Sequence, residues 1–84
     1  MEHNPIADMQ EQLEVNRMRW GGSPPTPAEH LLILVEEVGE IAHALQGGNG
    51  VYQWPPSYTV DAYEEIIDTA AVLLEMAYEC KRAL

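Results

Sequence analysis

The sequence has 84 residues, 46% of them apolar, and a formal charge of −10 from 14 acids against four lysines and arginines. That suits one small globular domain over residues 1–84 and is too apolar for a disordered chain. The acidity excludes a nucleic-acid binder, which needs a basic stripe, and no apolar run approaches the ~20 residues of a membrane span.

The first residues, Met1-Glu2-His3-Asn4-Pro5, lack a basic region followed by an apolar stretch, so no signal peptide is expected. Cys80 is the only cysteine. It can form no intrachain disulfide, and a cytoplasmic location is expected. The first predicted helix runs from about Ile6 to Trp20, with Ile6, Met9, Leu13 and Val15 at rough helical spacing, and ends at Gly21-Gly22. Ser23-Pro24-Pro25-Thr26-Pro27 cannot continue it. Thr26 is a suitable N-cap, with Pro27 at the first helical position and Glu29 three residues after the cap. The second helix is predicted from Pro27 to Gln46, with Leu31, Leu34, Val35, Val38, Ile41, Ala42 and Leu45 as its apolar stripe. Gly47-Gly48-Asn49-Gly50 stops it, and a loop over Val51 to Tyr58 holds Trp54-Pro55-Pro56. The third helix runs from about Val60 to Ala83, with Ala62, Tyr63, Ile66, Ile67, Ala70, Leu73, Leu74 and Ala77 as its apolar face. No strand pattern is present. The expected fold is all-α: two long antiparallel helices with a shorter N-terminal helix packed on them. A domain this small gains core from a partner, so a dimer or tetramer is expected. Ile33 and Ala44 flank the second helix's acids, and Val72 and Met76 lie beside those of the third. These apolar residues on second faces are expected to be covered by a partner chain.

Two acidic motifs carry the chemistry: Glu36-Glu37-Val38-Gly39-Glu40 and Glu64-Glu65-Ile66-Ile67-Asp68. Residues three apart share a helix face, roughly 5–6 Å between Cβ atoms. Glu37 pairs with Glu40, and Glu65 with Asp68. If the helices pack side by side, four carboxylates converge, and their repulsion calls for a cation. Oxygen ligands select a hard divalent ion, Mg²⁺ above all, and Mg²⁺ points to phosphate chemistry. A single such pair is usually a solvated helix face, and Asp8/Glu11/Glu14 and Asp61/Glu64 are assigned to solvent. The doubled pattern, mid-helix on two neighbouring apolar helices, is harder to reach by accident.

The strings Leu34-Val35-Glu36-Glu37-Val38-Gly39-Glu40-Ile41-Ala42 and Ile66-Ile67-Asp68-Thr69-Ala70-Ala71-Val72-Leu73 resemble the MazG-like all-α nucleoside triphosphate pyrophosphohydrolases. The resemblance covers about Leu31 to Met76. It implies that Glu37, Glu40, Glu65 and Asp68 hold Mg²⁺, with Mn²⁺ as a substitute. It also implies hydrolysis of a nucleoside triphosphate to pyrophosphate and a nucleoside monophosphate, and dimers or dimers of dimers with sites built across subunits. The chain as given carries little after the third helix, where some members of that family place basic residues. Glu36 is an extra carboxylate that orients the attacking water or a ligand, or else faces solvent.

Arg17, Arg19, Lys81 and Arg82 are the basic residues, and any of them can hold phosphate oxygens. Lys81 and Arg82 equally suit the negative end of a helix dipole. Trp20, Trp54 and Tyr58 lie in or beside loops, where an aromatic ring can stack on a base. Trp20 equally fills core, and Tyr52 and Trp54 are the better base lids. Met9, Met18 and Met76 read as core filler. Three alternatives stay open. The substrate can be phosphoribosyl-ATP, whose pyrophosphohydrolase shares the helical plan. Glu40-Ile41-Ala42-His43 can be the ExxH pair of a di-iron protein. The chain can be a non-catalytic acidic helical module that binds a partner protein.

Overall fold

A computed structural model describes residues 2–46, 56 and 58–84. These form three helices and no strand: α1 over Pro5–Trp20, α2 over Pro27–Leu45 and α3 over Val60–Ala83. Each start has a local cause. The Asn4 side chain accepts from the Ala7 amide at 3.2 Å, with Pro5 in the first turn. Thr26 and Glu29 complete the expected capping box, through Glu29 N to Thr26 Oγ1 and Thr26 N to Glu29 Oε1. Thr59 Oγ1 accepts from the Ala62 amide at 3.1 Å. The α1 helix stops at Gly21, whose φ of 60° suits a residue without Cβ and whose amide bonds Arg17 O. The glycine run at 47–50 and most of the loop at 51–58, including Tyr52 and Trp54, lie outside the described residues.

The third helix is the shared wall, packing against both α1 and α2. His30 meets Glu79, while Glu40 and Ala44 share a cavity with Asp61 and Glu64, so α2 and α3 are antiparallel. Asp8 bonds Tyr63 and Arg17 bonds Glu75, so α1 runs parallel to α3.

The faces turned inward match those expected only in part: Ala62, Tyr63, Ile67, Ala70 and Leu74 of the α3 face are buried or half-buried. Leu13, Ala62, Ala71 and Val72 are the buried apolar side chains, with Asn16, His30, Thr69 and Glu75 buried beside them. Leu34, Ile41 and Leu45 of the α2 stripe are half-buried, but part of it looks outward: Leu31, Val35 and Val38 are exposed, as is Leu32 at 70%. Ile66, Leu73 and Ala77 do the same on α3. Ile33, Ala44, Val72 and Met76, expected to need a partner, are instead covered within the chain to varying degrees. The reason is geometric: Val35 and Glu37 lie about 200° apart on the wheel, so a chain that faces its acids inward turns its largest apolar stripe out. Met18 is exposed rather than core filler, and Asp8 is half-buried on the Tyr63 hydroxyl rather than solvated.

Candidate functional site

Glu37 enters from α2, and Glu65 and Asp68 enter from α3 one turn apart. One carboxylate oxygen from each lies within 4.8 Å of the others, and among the described residues this is the one such cluster of potential metal ligands. Glu37 Oε2 and Glu65 Oε2 are buried with no hydrogen-bond partner. Orphaned buried acceptors cost free energy, and a cation between them removes that cost.

The electrostatics agree. Burial pushes the Glu37 carboxyl up, with help from Glu40, Asp68 and Glu36. Glu65 is pushed up to about 7, first by a carboxyl–carboxyl hydrogen bond with Glu40 and then by burial and the charges of Glu40, Asp68 and Glu37. Asp68 is raised by burial and by Glu40 and Glu64, against a lowering pull from the Arg19 guanidinium. Glu40 is exposed and joins the cluster through Glu65 rather than as a member of the close triad.

Two cavities flank the triad. One of about 170 Å³ is walled by Glu37, Asp68, Ile33 and Val72, with Gln12, Asn16, Arg19 and Trp20 supplied by α1. The other, about 390 Å³, holds Glu36, Glu40 and His43 from α2 against Asp61, Glu64 and Glu65. Arg19 and Asp68 also line an open cleft of about 520 Å³ between α1 and α3. Of the sequence candidates, Glu37, Glu40, Glu65, Asp68, Glu36, Arg19 and Trp20 are thus gathered in one region.

Arg17 is elsewhere. Its Nε donates to Glu75 Oε2 at 2.7 Å, and its guanidinium stands over the Tyr78 ring. Lys81 lies 13 residues beyond Asp68, about 20 Å along the helix, in the last turn where the dipole favours a cation. Arg82 reaches toward Glu75 at 3.6 Å, and Tyr58 is exposed. His43 shares the larger cavity with Glu40, but the close cluster contains carboxylates only. Gln12 and Asn16 were not signalled by the sequence. Gln12 Nε2 donates to Asn16 Oδ1 at 3.0 Å, and Asn16 is buried. A lone amide on a helix has no periodic or motif signature.

Comparison with known proteins gives no family model, curated protein or solved structure that matches this chain. The described helices include none long and apolar enough to cross a membrane.

Proposed function

We propose that the chain is a Mg²⁺-dependent nucleoside triphosphate pyrophosphohydrolase. The supporting observation is the triad of Glu37, Glu65 and Asp68, two of whose oxygens are buried without partners. All-oxygen ligands suit Mg²⁺, or Mn²⁺ in its place. When bound, the ion offsets most of the carboxylates' charge, makes water more acidic and stabilises charge on phosphate oxygens. A triphosphate would otherwise be repelled by a chain of charge −10.

The chain's own residues divide the remaining work. Glu37, Glu65 and Asp68 hold the cation, and Glu40 stands beside Glu65 at the edge of the cluster. Arg19, beside Asp68, meets a phosphate oxygen. Gln12 and Asn16 offer amide edges, and Trp20 a flat wall, to the base or sugar. Glu36 faces the flank of the cluster, where a carboxylate orients the attacking water and accepts its proton. Water then adds to the α-phosphorus, the bond from that phosphorus to the bridging oxygen breaks, and pyrophosphate leaves. The test is a panel of nucleoside triphosphates, with phosphoribosyl-ATP included, assayed with Mg²⁺ for pyrophosphate and orthophosphate separately. Pyrophosphate with the monophosphate is expected; orthophosphate alone would change the reaction class, and no release from any substrate would reject the proposal.

The working unit is a homodimer or a dimer of dimers joined through the outward stripes of α2 and α3. Leu31, Leu32, Val35 and Val38 form a contiguous exposed apolar patch of the kind that marks association surfaces. Sedimentation at micromolar concentration is expected to show no 9.4 kDa species. Val35→Glu with Leu32→Glu is expected to produce it. A clean monomer of the unaltered chain, with and without Mg²⁺, contradicts this assembly.

A further inference from the structure

Trp20 is the one aromatic wall of the 170 Å³ cavity. Its ring stands edge-on to His30, with centroids 5.4 Å apart and planes at 72°. His30 is fully buried, and neither of its ring nitrogens has a hydrogen-bond partner. Its Nδ1 lies 3.2 Å from Glu79 Oε2, out of line for a hydrogen bond. Burying an imidazole in this way costs more than burying an apolar ring of similar size, so packing alone does not account for it. The groups around it are few. From α3 come Met76, Glu79 and Cys80, which with His30 line a separate cavity of about 280 Å³. From α2 comes Glu29, near enough to feel the imidazole's charge, and from α1 the Trp20 indole.

We propose that His30 is a positioning residue for Trp20. Its contact with Glu79 holds the orientation of the imidazole, and the imidazole edge sets the angle at which the indole walls the carboxylate cavity. The functional consequence rests on the reading of that cavity as the substrate site; the coupling itself does not.

Trp54→Phe leaves Trp20 as the only indole. In that background, Trp20 emission, anisotropy and acrylamide quenching are measured at one fixed neutral pH, without metal or nucleotide. His30→Gln and His30→Leu remove the ring edge and are expected to shift the emission maximum and raise quenching of Trp20. Glu79→Gln, at a partly exposed side chain, is expected to move both readouts in the same direction by a smaller amount. Emission and quenching unchanged in both His30 variants overturn the proposal. Should both His30 variants lose helicity by circular dichroism, Glu79→Gln decides: a change in Trp20 quenching supports the coupling and an unmoved value rejects it. None of these readouts needs turnover, so failure of the hydrolase reading leaves them intact. Where pyrophosphate release is measurable, His30→Gln is expected to raise KM more than it lowers kcat.

Discussion

Glu37→Gln, Glu40→Gln, Glu65→Gln and Asp68→Asn are each expected to lower Mg²⁺-dependent pyrophosphate release by about 100-fold or more, since each removes charge at or beside the cation site with almost no change in volume. The same substitutions at Glu37, Glu65 and Asp68 are expected to raise the melting temperature of the metal-free protein. These three carboxyls are all held above their ordinary range in the fold. A carboxyl with a raised folded pKa favours the fold while protonated and loses that contribution as the pH rises through the folded value. For Glu65 the contribution is complete below the ordinary 4.5 and gone above about 7. The metal-free protein is therefore less stable above about 7 than at mildly acidic pH, and Glu65→Gln helps most there. A gain on the order of 1 kcal/mol after solvent screening moves the melting temperature by about 4–8 °C in a domain of this size. Melts in chelator at acidic and alkaline pH, beside the pyrophosphate assay, check both halves. Glu14→Gln, on the exposed face of α1, is the control. If two or more of the four site variants kept near-normal turnover and Mg²⁺ affinity, the site would be misplaced.

The largest loss of stability is expected at Arg17. Glu75 is 5% exposed and carries a buried carboxylate in the seam between α1 and α3. The Arg17 guanidinium at 2.7 Å is its close partner, with Arg82 more distant at 3.6 Å. Removing one member of a buried pair strands the other. Arg17→Met leaves Glu75 ionised and poorly paired, at a cost of about 3 kcal/mol; that is the low end for buried pairs, because Arg17 is partly wet. Glu75→Gln leaves a guanidinium that reaches water, and costs about 1–2 kcal/mol. Against a total of roughly 5–15 kcal/mol, the first is a large fraction. Urea denaturation gives the ranking, and the reverse order contradicts the asymmetry. Turnover of Arg17→Met at a temperature where it stays folded separates a structural arginine from a phosphate ligand, with an unchanged KM expected.

Helix boundaries were legible because their causes are local. The Thr26–Glu29 box and the Gly21 stop act within a few residues of themselves, and both stand where the sequence places them. The convergence of four carboxylates was legible in part: Glu37 meets Glu65 and Asp68, while Glu40, the expected fourth, is exposed outside the close triad. The facing of the helices was not. Periodicity identifies the Leu31–Val35–Val38 stripe as apolar but not whether the chain or another molecule covers it. Solvation rules send acids outward unless a cation is counted among the packing partners. Asn16 and His30, single polar residues on amphipathic helices, become visible only once Gln12 and Trp20 are beside them.

The α2 helix touches the rest of the described fold mainly through α3, across a seam in which Glu37 confronts Glu65 and Asp68. If this cluster holds a divalent ion as proposed, docking of α2 and capture of the ion form one linked equilibrium. When the ion is scarce, detachment of α2 relieves the repulsion across that seam, since α2 carries Glu37, one of the three proposed ligands, as well as the outward apolar patch. Free cation concentration would then govern the lifetime of the folded molecule in addition to its turnover, and depletion would open the seam between α2 and α3.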